Sequence, residues 1–134
     1  MIIKAIRDEP LPVYGDGRNV RDWIRVTDHC AAIVAALFEG KPGSIYNFGG
    51  DAEMMNIDVV KTILDKLGKP HSLISFVTDR LGHDRRYAID SSLSQQELNW
   101  KPRRDFKEGL DETIQWYIDN QSWWQPLLER AERY

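Results

Sequence analysis

One cysteine, Cys30, stands in a chain of 134 residues, so no internal disulfide can form, and a lone thiol suits a reducing compartment. Long apolar runs are missing too. Nothing approaches the ~20 residues that a membrane-spanning helix needs, and the N-terminal MIIKAIRDEP is too short and too charged for a signal peptide. The cytoplasm is therefore the expected location. Nor is there any surplus of positive charge. The formal net charge of −3 creates no long-range attraction for nucleic acid or an anionic membrane, so any anion site has to be local. The histidines, at 29, 71 and 83, show no metal-ligand spacing with one another or with Cys30. There is no G-x-S-x-G elbow for a nucleophilic serine, and no recognisable nucleic-acid module. The chain also lacks a G-x-G-x-x-G dinucleotide loop, and Gly49-Gly50 is not followed by the lysine and serine or threonine of a phosphate loop.

What is present is ordinary in bulk. Apolar residues make up 42% and charged residues 29% of the chain, as in a soluble globular protein. A chain of this length forms one domain, residues 1–134, and can bury roughly two thirds of its unfolded surface. Repeats, low-complexity segments and linkers are absent from the sequence.

Arginines are unevenly placed. Asp79 to Asp90, DRLGHDRRYAID, holds Arg80, Arg85, Arg86 and His83 beside a glycine turn at Gly82. Pro10 to Val26, PLPVYGDGRNVRDWIRV, holds Arg18, Arg21 and Arg25. Guanidinium forks hold phosphate or diphosphate well, and Gly82 permits a sharp turn and close backbone approach. A solvated loop whose arginines pair with Asp79, Asp84 and Asp90 is the plainer alternative.

Periodicity divides the chain into alternating short strands and helices. Met1 to Asp8 reads as the tail of a helix, Leu11 to Tyr14 as a strand entering the G15-D16-G17 turn, and Val20 to Val26 as a strand carrying Arg21 and Arg25. Thr27 is the expected cap of a helix whose body, Cys30 to Phe38, is apolar nearly all round. That pattern predicts burial on more than one side, with Cys30 a small core residue. Ser44 to Phe48 reads as a strand, and Asn56 as the cap of a helix over 57–67 closed by Gly68. Ser72 to Val77 and the YAID of residues 87–90 read as strands, and Ser91 or Ser92 as the cap of a short helix to Leu98. Asp105, with Glu108 three residues on, opens a helix over 106–120, and PLLERAERY is read as a frayed helical end. The tryptophans read as core or domain contacts rather than ligand platforms. The expected class is mixed α/β.

Taken together, PLPVYGDG, RDW followed by Asp28-His29, YNFGG, NIDVV, DRLGHDRRYAID, LNWKP and a final WY resemble, in order and over nearly the whole chain, the dTDP-glucose 4,6-dehydratases of the extended short-chain dehydrogenase family. The resemblance implies a small nucleotide-sugar-binding lobe, with the Rossmann domain absent from this stretch. It assigns substrate contacts to Pro12, Val13 and Tyr14 against the thymine, Arg21 on the diphosphate, Asn56, and Asp79, Arg80, Leu81, Gly82 and His83 on the sugar nucleotide. Leu81 stands where the family carries proline, which loosens the turn before His83.

Those enzymes oxidise a hexose with bound NAD, eliminate water and return the hydride. They use a tyrosine and lysine four apart and an acidic pair. None of the tyrosines at 14, 46, 87, 117 and 134 has a lysine at that spacing, so no catalytic residue and no NAD site is expected on this chain. The implied partners are a dTDP-sugar and an N-terminal dinucleotide-binding domain. Two alternatives stay open: the lobe of a related UDP-sugar epimerase or decarboxylase, and a non-catalytic fragment that self-associates through an apolar surface.

Overall fold

Two small sheets, each built around a parallel strand pair, organise the chain. A computed structural model describes residues 1–131. In chain order the elements are α1 (Ile2–Ile6), β1 (Leu11–Tyr14), β2 (Val20–Asp22), α2 (Val26–Glu39), β3 (Glu53–Met55) and α3 (Asn56–Lys66). A 3₁₀ turn (His71–Leu73) then leads into β4 (Ile74–Val77), β5 (Arg86–Tyr87), α4 (Ser92–Leu98), α5 (Phe106–Asp119) and α6 (Gln121–Ala131). β1 pairs in parallel with β4, Tyr14 opposite Val77. β2 lies between antiparallel β3 and parallel β5, with Val20 opposite Arg86. The class is mixed α/β, as the pattern predicts.

The main core follows from the spacing of apolar residues. Val60, Ile63 and Leu64 recur on one face of α3 and meet Leu11 and Val13 of β1, Ala5 of α1 and Ile114 of α5. Leu11 and Leu64 are fully buried, and each such side chain contributes about 1.5–3 kcal/mol relative to exposure. A smaller cluster joins Ala32, Leu98 and Trp100, with Tyr46 and Phe48 packed against it. Asp105 caps α5 as expected, its carboxylate accepting from Glu108 N at 2.8 Å.

Several expectations are corrected. The strand at Val20 ends at Asp22 rather than Val26, and the chain turns into α2 with Arg25, not Thr27, at the cap position. Asn56 is the first residue of α3 and makes no side-chain cap. Backbone carbonyls do that work: Asn56 N donates to Asn19 O and Ile57 N to Gly17 O. Ser44 to Phe48 forms no strand, since Tyr46 and Phe48 face the smaller core cluster instead of a ladder partner. Ser72 and Leu73 belong to the 3₁₀ turn, and YAID contributes only Tyr87 to a two-residue strand. β3, unexpected from its EMM sequence, exists because it pairs with β2. Cys30 is exposed, and α2 presents Ile33, Val34, Leu37 and Phe38 to solvent rather than burying them. The C-terminal segment is regular helix through Pro126 to Ala131, and the last three residues of the expected frayed end lie outside those described. Trp100 and Trp124 are buried, whereas Trp23, Trp116 and Trp123 are exposed.

Candidate functional site

Parallel pairing of β1 with β4 brings both strand ends out at the same edge. Gly15 N donates to Val77 O at 2.9 Å, so the turn after β1 and the loop after β4 leave side by side. Gly15 has a left-handed φ of +56°, and a Cβ there would come within 2.8 Å of the Asp79 carboxylate. Glycine therefore satisfies both the turn and the close approach of Asp79. Asp79 and His83 share a 2.6 Å hydrogen bond that pulls the loop into a turn, closed by His83 N donating to Arg80 O. This bond, aided by the Arg80 backbone N–H, holds the Asp79 carboxyl below its usual range. Tyr14 is the centre of the cluster. The Arg80 guanidinium carbon lies 5.5 Å from the Tyr14 ring centroid, and the His83 ring meets the Tyr14 ring edge-on at 6.2 Å.

The second parallel pair fixes Arg21 to the same loop. Val20 N donates to Arg85 O, and the Arg21 guanidinium donates to Val20 O at 2.6 Å and to Asp84 O at 3.0 Å. Two segments separated by more than fifty residues are thus tied together.

Their arginines divide by partner. Arg85 makes a bidentate pair with Asp16 at 2.8 and 3.0 Å, and Arg86 a bidentate pair with Glu53 at 2.7 Å for both bonds. The Arg85 guanidinium, with the Arg18 backbone N–H, holds the Asp16 carboxyl at about 2. Arg21 and Arg80, by contrast, make no ion pair among the described residues, so their charge is available to an anion. The plainer alternative of self-paired arginines thus holds for Arg85 and Arg86, with Asp16 and Glu53 as partners rather than Asp79, Asp84 or Asp90.

The Gly49-Gly50 loop is already occupied by protein. The Asp22 carboxylate accepts from Gly50 N at 3.1 Å and from Ala52 N at 2.9 Å, filling the amide concavity that an anion would otherwise take. A Cβ at Gly50 would lie 1.9 Å from Trp23 O, so backbone passes where a side chain cannot.

A cleft of about 990 Å³ opens beside Tyr14. Pro12, Val13, Tyr14 and Asn56 line it together with apolar side chains such as Trp23, Val26 and Trp116. Val13 is otherwise buried in the main core. Arg21, Asp79, Arg80, Leu81, Gly82 and His83 are not in the lining. Leu81 projects wholly into solvent, and Gly82, at φ +69°, turns the loop with open space around it. Tyr14 joins the cleft to the arginine-bearing loop. Residues that the sequence reading passed over include Asn19, whose amide Nδ2 donates to Asp84 O at 3.0 Å, and Asp16 and Asp22, the carboxylate anchors. Each is an unremarkable polar residue in a turn or short strand, and nothing in its local sequence marks a contact dozens of residues away.

Among the described residues no group of three or more His, Cys, Asp or Glu is placed to hold a metal ion, and no helix is long and apolar enough to cross a membrane.

A family model for GDP-mannose 4,6 dehydratase matches residues 1–113. The chain is 49% identical to a dTDP-glucose 4,6-dehydratase of Xanthomonas campestris pv. campestris across 99% of its own length and 40% of that relative. It is 51% identical to a dTDP-glucose 4,6-dehydratase of Actinoplanes sp. across 85% of its own length and 36% of that relative. The crystal structure of dTDP-glucose 4,6-dehydratase from Bacillus anthracis in complex with NAD is similar at a TM-score of 0.88 and 49% identity, covering 94% of this chain and 40% of that one. The chain thus spans about 40% of the length of these relatives. Its own residues do not fit NAD: the dinucleotide fingerprint is missing from the sequence, and the amides of Gly50 and Ala52, in the loop of its paired glycines, are turned onto Asp22. With a match over residues 1–113 and about half of its residues identical to those of the relatives, the chain belongs to the GDP-mannose 4,6 dehydratase family, in company with the dTDP-glucose 4,6-dehydratases.

Proposed function

We propose that this chain is the nucleotide-sugar-binding portion of a dTDP-glucose 4,6-dehydratase. The supporting observation is the joining of two remote arginine-bearing segments, with Arg21 donating to Asp84 O and Arg80 lying over Tyr14, while neither guanidinium is neutralised by a carboxylate among the described residues. In this reading Pro12, Val13 and Tyr14 bear the base, and Arg21 and Arg80 take the diphosphate. Asn56, Asp79 and His83 complete the polar contacts, with Leu81 and Gly82 supplying the backbone of the turn. The chain's part in the reaction is to clamp the non-reacting half of the substrate, so that remote binding energy orients the hexose. NAD, the acid and base residues and the oxidation, dehydration and re-reduction belong to the remainder of the longer enzyme, which docks as an N-terminal dinucleotide-binding domain.

Calorimetric titration of the chain with dTDP-glucose and with UDP-glucose tests this. The expected result is saturable binding of the thymidine compound and weaker binding of the uridine one. Equal or reversed preference supports an epimerase or decarboxylase lobe instead, and no binding of either at millimolar concentration overturns the reading.

A second reading rests on a separate observation. Val26, Ile33, Val34, Leu37 and Phe38 of α2 are all more than half exposed, which is a large apolar surface for one helix. Through it the isolated chain self-associates. Sedimentation at several concentrations separates this from a monomer, and dimers persisting in a chain that binds no nucleotide sugar favour it over the first reading.

A further inference from the structure

Asn19 is 2% exposed, and its side chain faces the loop that carries Arg80 and His83. Its Nδ2 donates to Asp84 O at 3.0 Å, the same carbonyl that accepts from Arg21 Nη2 at 3.0 Å. A carbonyl can only accept, so the amide must present its nitrogen there, and the opposite orientation would set two acceptors against each other. That choice leaves Asn19 Oδ1 buried without a hydrogen-bond partner, the one such side-chain atom among the described residues. A buried acceptor left bare works against stability, and such groups call for an explanation in function. The backbone of the same residue is engaged as well, its carbonyl accepting from Asn56 N at 3.0 Å.

We propose that Asn19 is a positioning residue, whose Nδ2–H fixes the Asp84 carbonyl so that the Arg21 guanidinium is aimed at the diphosphate of the nucleotide sugar. This inference rests on the reading given under Proposed function. Arg21 uses two edges of its fork to grip Val20 O and Asp84 O, and its remaining donors point where those two carbonyls allow. If the Asp84 carbonyl is free to swing, the fork loses one of its two anchors and the arginine loses preorganisation. Because Asn19 also holds Asn56 N, one side chain and its backbone couple the diphosphate arginine to the start of α3.

The test replaces Asn19 by leucine, which has similar volume and neither donor nor acceptor. Removing the bare Oδ1 leaves thermal stability unchanged or raises it, while affinity for dTDP falls about tenfold and affinity for thymidine, which lacks the diphosphate, changes by less than about twofold. A purely structural residue would lower stability and weaken both ligands together. In a double-mutant cycle with Arg21→Ala the two losses are not additive, since both act through Arg21. Should Asn19→Leu fail to fold, Asn19→Ala, smaller and likewise without donor, acceptor or charge, is expected to give the same split between dTDP and thymidine. A wild-type chain that binds dTDP alongside folded variants that bind it equally well overturns the role of Asn19 alone. A wild-type chain that binds no dTDP overturns the functional reading and this inference with it.

Discussion

The Arg80 guanidinium lies over the Tyr14 ring, 5.5 Å from its centroid, although 65 residues separate the two in sequence. Parallel pairing of β1 with β4 causes this: Tyr14 is opposite Val77, and three residues past Val77 the loop places Arg80 on the ring. The aromatic face steadies the charge without neutralising it, so the guanidinium keeps its donors for an anion.

Arg80→Ala removes the cation–π contact and, in the proposed function, a charge-assisted hydrogen bond to phosphate. Together these are worth about 2–3 kcal/mol, so affinity for dTDP is expected to fall roughly 30- to 150-fold by calorimetry. Arg86→Ala, which breaks only the exposed pair with Glu53, is expected to change it by less than about threefold. Equal losses in the two variants would show that the division of arginines by partner has no functional meaning.

Asp16 should titrate well below an ordinary carboxyl. Its value in the folded chain is about 2, against 3.8 otherwise, because of the Arg85 hydrogen bonds. A carboxyl depressed by folding adds stability that is complete above 3.8 and is lost as pH falls through about 2, so the clamp between the β1 turn and Arg85 survives mild acid. Carbon-detected NMR of the Asp16 carboxyl is expected to give a midpoint near 2, moving up towards 3.8 in Arg85→Ala. An ordinary midpoint in the wild-type chain contradicts the clamp.

Gly15→Ala and Gly82→Ala both force alanine into a left-handed backbone, at φ +56° and +69°, which costs roughly 1–2 kcal/mol each. Gly15 alone adds a clash with the Asp79 carboxylate, so Gly15→Ala should be the more damaging in denaturant unfolding and should disturb the Asp79–His83 bond as well. Equal destabilisation would mean that Asp79 moves aside freely.

Core and helix-surface truncations should differ sharply. Leu64→Ala empties a fully buried site on α3 and is expected to cost about 2–5 kcal/mol. Phe38→Ala, on the exposed face of α2, should stay within about 0.5 kcal/mol in the monomer. Urea unfolding at low protein concentration measures both.

How far the sequence revealed this arrangement depends on the range of the interaction. α3 and α5 were legible because their signals are local: apolar residues three and four apart, and Asp105 three residues before Glu108. The apolarity of α2 was equally clear, yet it tells what the helix can bury against and not whether a partner is there, so the expected burial of Cys30 and the surrounding face did not follow. Asn56 had the chemistry of a cap, but the carbonyls of Gly17 and Asn19 reached its helix first. At the site, Tyr14, Arg21, Arg80 and His83 could be named from their motifs. Their convergence depends on strand pairings that no local pattern encodes, and Asn19 and Asp22 carry no signal apart from those pairings.

The most direct test is a backbone amide NMR titration of the chain with dTDP. Shifts that move together at Tyr14, Arg21, Asn56, Arg80 and His83, with a common saturation point, are the predicted result. Shifts confined to the exposed α2 face, or movement of the residue 14 and 80 signals without residue 21, would contradict a single diphosphate grip shared by the two arginine-bearing segments.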